Sequence, residues 1–285
     1  MSDQSWEVVG FQGKFLQWAY QRPKVWAALQ RLNPEIRFSA ARVIGMGDFE
    51  LLVPWEQVQE KLGVFIGAKQ YFVDMERCFP ETKEASRMPD YIFDVGANVG
   101  GFTVEARSLY PDAKIVAVEP NPVCFKFLRS NSGPLDVHCE EKAVGESGGR
   151  IEMAKGMSLT TASLGHSGVY KVKAGKRRYF ARNERVWDET FEVECVGIEE
   201  LMKGVEGSVL LKVDCEGGEY HIFTEKNREL LCKVDYLLME AHPSEIGMPD
   251  DLMGTLEKWG FQSVREPMTN GCEMIYARGP GVSVS

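Results

Sequence analysis

Tyr91-Ile92-Phe93-Asp94-Val95-Gly96-Ala97-Asn98-Val99-Gly100-Gly101-Phe102-Thr103 is the stretch on which the reading of this chain turns. A short apolar run, Tyr91–Asp94, reads as a buried strand, and the residues after Gly101 read as the start of a helix. Gly96 and Gly100 between them permit backbone conformations and close approaches that a Cβ would block. Asp94, at the end of the strand, is placed to accept hydrogen bonds from a ligand amine or hydroxyl. Nineteen residues past Gly100, Glu119 closes the apolar run Ile115-Val116-Ala117-Val118. An acid there can accept hydrogen bonds from both hydroxyls of an adenosine ribose, as at other doubly wound nucleotide sites. A strand, a glycine turn, a helix and an acid on the next strand together point to a nucleoside site. The competing reading is a tight turn whose glycines only pack helix on strand.

The identity of the nucleoside follows from what is missing. A dinucleotide fingerprint needs a second glycine where Ala97-Asn98 stand, so that the backbone can approach a pyrophosphate. No Gly-Lys-Ser/Thr follows the turn, which excludes a Walker-type phosphate cradle. Asp94 would repel a phosphate. A cofactor such as S-adenosylmethionine suits this D-x-G-x-x-x-G turn better than a nicotinamide dinucleotide does.

Outward from the turn, short apolar runs alternate with helical segments, as on a parallel sheet. The expected strands are Tyr91–Asp94, Lys114–Glu119, Val137–Glu141, Val209–Asp214, Val234–Glu240, Gln262–Arg265 and Glu273–Ala277, the last two joined by a hairpin at Met268-Thr269-Asn270-Gly271. A helix is expected at Asp250–Trp259. This is a doubly wound α/β domain over residues 89–285, with an insertion at about 151–195 that includes a strand-like Phe191–Val196. Residues 1–88 read as an accessory, mainly helical segment. Within it, Trp6–Leu32 has helical apolar spacing, Phe49–Val53 could be a strand, and Trp55–Cys78 reads as helices broken by glycines.

The whole chain has 285 residues, 44% of them hydrophobic and 26% charged, ordinary values for a globular protein. The 33 basic and 42 acidic residues leave a net charge of −9, which disfavours a general nucleic-acid binder. No apolar stretch is long enough for a membrane span, and the N-terminus does not read as a signal peptide. Seven widely spaced cysteines without a CxxC pair fit reduced thiols, so a cytoplasmic location is expected.

A second set of polar residues falls at other strand ends. Asp214 and Glu216 are two apart, so an extended backbone points both to one face, and Glu240 and His242 repeat the arrangement. Both strand ends open into the crevice of a doubly wound sheet. Methyl transfer from a sulfonium needs the nucleophile's proton removed, or a metal to lower the hydroxyl's pKa. His242, or Asp214 or Glu216 with a shifted pKa, could be the base. The three carboxylates and the histidine could instead hold Mg²⁺, although no metal is assigned. The bland alternative makes Asp214 a turn cap and Glu216 and Glu240 structural partners.

Three blocks carry a family resemblance: Asp94–Thr103, Val118-Glu119-Pro120-Asn121-Pro122, and Leu211-Lys212-Val213-Asp214-Cys215-Glu216-Gly217-Gly218-Glu219. Together they resemble the FkbM-type S-adenosylmethionine-dependent methyltransferases. The resemblance implies a seven-stranded Rossmann-like sheet with an antiparallel last strand. It also implies O-methylation of a sugar, polyketide or other small hydroxylated product. It places cofactor contacts at Asp94, Gly96, Ala97, Asn98, Gly100, Thr103, Glu119, Pro120, Asn121, Ala143 and Asp214. Catalysis would fall to Asp214, Glu216, Glu240 and His242. Gly218 stands where alanine is more usual, and the insert has no template in the family.

The insert carries a basic run, Lys171–Arg185, most simply a solvated loop. Arg177 and Arg178 are the expected contacts to an anionic acceptor, should this loop cover the site. The aromatic-rich start (Trp6, Phe11, Phe15, Trp18) reads as core, as a substrate lid or as a homodimer contact. A non-catalytic binding protein on the same fold and a nicotinamide-dependent oxidoreductase are the rival functions.

Overall fold

The computed structural model describes residues 5–8, 40–46, 49–54, 64–84, 87–146, 149–155, 162–164, 190–244, 246–268 and 271–283. Strands β1 (Ser5–Val8), β2 (Ala40–Met46) and β3 (Phe49–Pro54) form an antiparallel sheet in the N-terminal segment. Only β3 was legible from sequence. Trp6–Val8 is extended rather than helical because it pairs with Ala41–Val43 of β2, a long-range partner that overrides local spacing. The expected helix is present as α1 (Val64–Cys78), and it runs unbroken through Gly67. One glycine costs a helix only ~1 kcal/mol. That is less than α1 gains by burying Phe72 and Met75.

The remaining elements in chain order are β4 (Tyr91–Val95), α2 (Gly101–Leu109), β5 (Lys114–Val118), α3 (Pro122–Ser132) and β6 (His138–Glu140). Then come β7 (Lys142–Gly145), β8 (Arg150–Lys155), β9 (Ala162–Leu164), β10 (Thr190–Gly197) and the helical turn α4 (Ile198–Leu201). The chain continues through β11 (Val209–Val213), α5 (Glu219–Ile222), α6 (Arg228–Leu231), β12 (Tyr236–Ala241), α7 (Pro249–Lys258), β13 (Gln262–Pro267) and β14 (Glu273–Arg278).

The main sheet has the order β13-β14-β12-β11-β4-β5-β6. Its strands from β12 to β6 are parallel, and β14 runs antiparallel to both β12 and β13. This is the doubly wound sheet with an antiparallel last strand that the sequence leads one to expect. The strand order reverses between β4 and β11, so the crevice of the fold opens above their C-terminal ends.

Alternation along the strands sends side chains to two cores. Leu237 and Met239 of β12 join Val95, Leu211 and Trp259 on one face. Tyr236 and Leu238 join Ile92, Leu210, Phe72, Phe102 and Tyr110 under α1 and α2 on the other. Burial on both faces explains why the central strands read as continuous apolar runs.

The described part of the insertion forms a second sheet, β7-β10-β8-β9, whose β10 runs parallel to β7. The basic run with Arg177 and Arg178 lies outside the described residues. Among the described residues no helix is long and apolar enough to cross a membrane.

Candidate active site

The turn after β4 meets the end of β11 backbone to backbone. Gly96 has φ +78°, and a Cβ there would sit 1.8 Å from the Asp214 carbonyl oxygen. Its N–H and that of Ala97 both donate to Val118 O at 2.9 Å, tying the turn to β5. Asn98 also has a positive φ, +52°, a conformation that asparagine tolerates better than most residues.

Glu119, just past β5, closes the arrangement. Its two carboxylate oxygens accept the backbone N–H groups of Asn98 and Asn121, each at 2.8 Å. Burial pushes this carboxyl up to about 7, against the pull of those two amides. Each oxygen keeps acceptor capacity for a further donor, which is what two ribose hydroxyls require.

Gly96, Asn98, Glu119, Pro120, Ala143 and Asp214 line one cleft that opens to solvent. Val144, Met153, Cys215 and Glu216 are also among its lining residues. Val144 and Met153 carry no motif signal, because β7 and β8 reach the cleft only through tertiary packing.

The other expected cofactor residues lie behind the wall. Asp94 is fully buried. Its Oδ2 accepts the Thr103 hydroxyl at 2.5 Å, and its Oδ1 pairs with Lys212 Nζ at 3.1 Å. Both Asp94 oxygens brace the turn, one through Thr103 and the other through Lys212. Thr103 is spent in the same bond. Ala97 is buried, Gly100 forms the left-handed start of α2, and Asn121 caps α3 by accepting Val123 N–H at 2.9 Å.

Lys212 is the site residue that sequence reasoning missed. It is buried within an otherwise apolar strand, donates to Gly96 O at 2.6 Å and lies 3.6 Å from Asp214. Burial opposes its charge, but Asp94 and Asp214 outweigh that and raise its pKa. A lone lysine between Leu211 and Val213 was the available signal.

Asp214, Glu216, Glu240 and His242 do come together. Fully buried Glu219 organises them, accepting Cys215 N–H and Gly217 N–H at 3.0 Å and lying 3.0 Å from His242 Nδ1. His242 Nε2 faces Glu240 at 3.5 Å and Glu216 at 3.6 Å. Burial works against charging His242, but Glu219 and Glu216 prevail and hold it protonated well above its usual range. Asp214 goes the other way. Burial pushes its carboxyl up to about 7, with Glu240 and Glu216 adding to the rise and Lys212 and His242 opposing it. Glu240, beside His242, stays below the ordinary carboxylate value despite its burial.

The donor atoms of Asp214, Glu216 and His242 lie within 4.8 Å of one another, as do those of Glu240, His242 and Cys272. The set is first an ion-pair network, in which His242 is a poor proton acceptor and Asp214 a good one near neutrality.

The FkbM methyltransferase domain family matches residues 94–263. Methyltransferase sdnD of Sordaria araneosa is 28% identical over 196 residues, 62% of this chain and 75% of that protein. The 31-O-demethyl-FK506 methyltransferase FkbM of Streptomyces tacrolimicus is 26% identical over 225 residues, 72% of this chain and 85% of that one. A crystal structure of a methyltransferase FkbM from Methylobacillus flagellatus superposes with a TM-score of 0.44 at 13% identity, covering 66% of this chain and 43% of that chain. With more than half of its length inside the family match and the three motif blocks gathered around one crevice, the chain belongs to the FkbM methyltransferase family.

Proposed function

We propose that the chain transfers the methyl group of S-adenosylmethionine to a hydroxyl of a small acceptor, with Asp214 as the general base. One observation carries this reading: Asp214 lines the nucleoside cleft and also borders the Glu216–His242–Glu240 cluster, so it stands where cofactor and acceptor meet. S-adenosylmethionine fits the residues present. Gly96 leaves bare backbone at the closest approach, and Glu119 offers a buried acceptor on each oxygen. When bound, that cofactor supplies an electrophilic methyl group on a sulfur that departs without charge, so the site needs no acid on the leaving side.

What the protein contributes is binding, orientation and proton removal. Glu119, Asn98 and Gly96 would hold the nucleoside. The Lys212–Asp94 pair keeps the turn in register with β11. Asp214, whose carboxyl titrates near neutrality, takes the acceptor's proton, while His242 stays a cation that steadies Glu216 and Glu240. General bases of this kind contribute typically ~10²–10⁴-fold.

The acceptor is a hydroxylated small molecule, with Arg177 and Arg178 as the residues that would recognise an anionic one. Residues 1–88 are the accessory segment and 89–285 the transferase domain. All seven cysteines are free thiols, which supports a reducing cytoplasmic setting.

Calorimetric titration of wild type and Glu119→Ala with S-adenosylhomocysteine and with NADH is the test. The reading expects micromolar binding of the thioether alone, lost in the variant, followed by transfer of labelled methyl groups to a hydroxylated panel. Binding of NADH alone overturns it.

A further inference from the structure

We propose that Tyr71, on a helix outside the matched family domain, is a positioning residue that holds Glu240 beside Asp214, making the N-terminal segment part of the transfer site. The inference rests on the reading of Asp214 as the base.

Strand alternation supplies the geometry. Ile92 and Asp94 of β4, Leu210 and Lys212 of β11, and Leu238 and Glu240 of β12 all point to the sheet face covered by α1 and α2. Helix α1 crosses that face with Phe79, just after its end, near Tyr236 at the start of β12. Its middle therefore arrives over the C-terminal strand ends, where the site lies. There the Tyr71 hydroxyl donates to Glu240 Oε2 at 3.5 Å. The other carboxylate oxygen of Glu240 faces His242 Nε2 at 3.5 Å, so the side chain is held from two sides.

The Tyr71 ring is itself held. It lies 6.3 Å from the Phe102 ring at the start of α2, beside the Phe72–Phe102 stack at 4.8 Å. The charged groups around the hydroxyl come from three elements and the loops between them: Asp94 of β4, Lys212 and Asp214 at the end of β11, and Glu240 of β12. Glu216, Glu219, His242 and Cys272 stand behind Glu240. Burial and the carboxylates of Asp214 and Glu240 raise the phenol's pKa strongly, so it acts only as a donor.

A donor on Glu240 stabilises its ionised form, and an ionised Glu240 makes Asp214 harder to ionise. Removing the hydroxyl should therefore raise the Glu240 pKa and leave Asp214, which titrates beside an already ionised Glu240, where it was. A general loosening of the packing would move both.

The test is a carbon-13 carboxyl NMR titration of ligand-free protein labelled at Asp and Glu side-chain carboxyls, with resonances assigned from Glu240→Gln and Asp214→Asn. In Tyr71→Phe, which keeps the ring, the Glu240 pKa should rise by about 0.5 or more while that of Asp214 stays within about 0.2 of wild type. Fluorotyrosine incorporation, which strengthens the phenol as a donor without changing its shape, should lower the Glu240 value. It also gives a readout if Tyr71→Phe folds poorly. An unmoved Glu240 value in both proteins, or equal shifts of Glu240 and Asp214 in the same direction, overturns the proposal. Calorimetry with S-adenosylhomocysteine on Tyr71→Phe should give a Kd within twofold of wild type, since Tyr71 does not line the nucleoside cleft. Absence of that binding in wild type refutes the transferase reading, and the titration still decides whether Tyr71 holds Glu240.

Discussion

Gly96→Ala tests the contact on which the cofactor turn depends. The added methyl carbon would lie 1.8 Å from the Asp214 carbonyl oxygen and 2.8 Å from its carbon, both backbone atoms of the neighbouring central strand. Neither can rotate away, so β4 and β11 must part or the turn must refold. The φ of +78° adds the left-handed penalty of ~1–2 kcal/mol for a residue with a Cβ. Overpacking of a tight interior adds about 1–3 kcal/mol. Together these give about 2–5 kcal/mol, a large share of a typical total of ~5–15 kcal/mol. Two controls separate the contributions. Gly204 has φ +72° with nothing within 4 Å of its added Cβ, so Gly204→Ala should cost only the strain. Gly100 has φ +92° and meets Leu128 Cδ1 at 3.0 Å, a side-chain end that can yield, so its alanine variant should fall between. Urea unfolding of the three variants, with calorimetry against S-adenosylhomocysteine, reads both consequences. Gly96→Ala should be the least stable and the only one of the three to lose the ligand entirely. A Gly96→Ala protein within about 0.5 kcal/mol of Gly204→Ala would refute the reasoning, since that is the size of an ordinary surface change.

Further outcomes follow from the buried charges. Glu119 has its carboxyl raised to about 7 by burial, so between its unfolded value of ~4.3 and 7 the folded state binds the extra proton and stability falls as pH rises. Glu119→Gln removes that loss. The variant should be about 2–3 kcal/mol more stable than wild type at pH 8 and no more stable at pH 4, after allowing ~1 kcal/mol for one amide bond the Gln nitrogen cannot accept, yet it should bind S-adenosylhomocysteine more weakly. Asp214→Asn should lower kcat by about 10²–10⁴-fold. The wild-type rate should climb through pH about 7, because the base must be ionised and its carboxyl is raised to that value. A flat profile there would remove Asp214 from the role. Lys212→Met leaves the Asp94 carboxylate unpaired in a dry interior and should cost about 3–5 kcal/mol. Adding Asp94→Asn should restore part of that loss in the urea midpoint, and strict additivity would show that the two side chains do not act as a pair.

Much of this molecule was readable from local pattern. Apolar runs of strand length bounded by glycine, proline and acids located all seven strands of the main sheet to within a residue or two, from Tyr91–Val95 to Glu273–Arg278. Period and punctuation are local properties, and a strand buried on both faces has little choice but to look like one. The glycine turn and Glu119 were legible for the same reason, since a close backbone approach demands glycine and a buried acid stands out at a strand end. The family blocks added the reaction class.

What local pattern could not supply was the division of labour among the polar residues. Asp94 and Glu119 are both acids at strand ends, yet one is consumed by Thr103 and Lys212 while the other faces the cleft. His242 and Asp214 both read as candidate bases. The approach of Glu219, 23 positions away in the chain, together with Glu216 raises the imidazole's pKa, and burial beside Glu240 and Glu216 raises that of Asp214. Tyr71 has no signal at all in sequence, because its place at Glu240 arises when α1 crosses the sheet, 169 residues away along the chain. The sheet and the glycine turn were legible in the chain alone, because they rest on residue type and spacing, while the kind of chemistry was legible only through the family blocks. Which acids line the cleft, which are consumed in internal pairs and in which direction each titrates came only from the folded chain, because pKa depends on burial and on neighbours that chain order does not reveal.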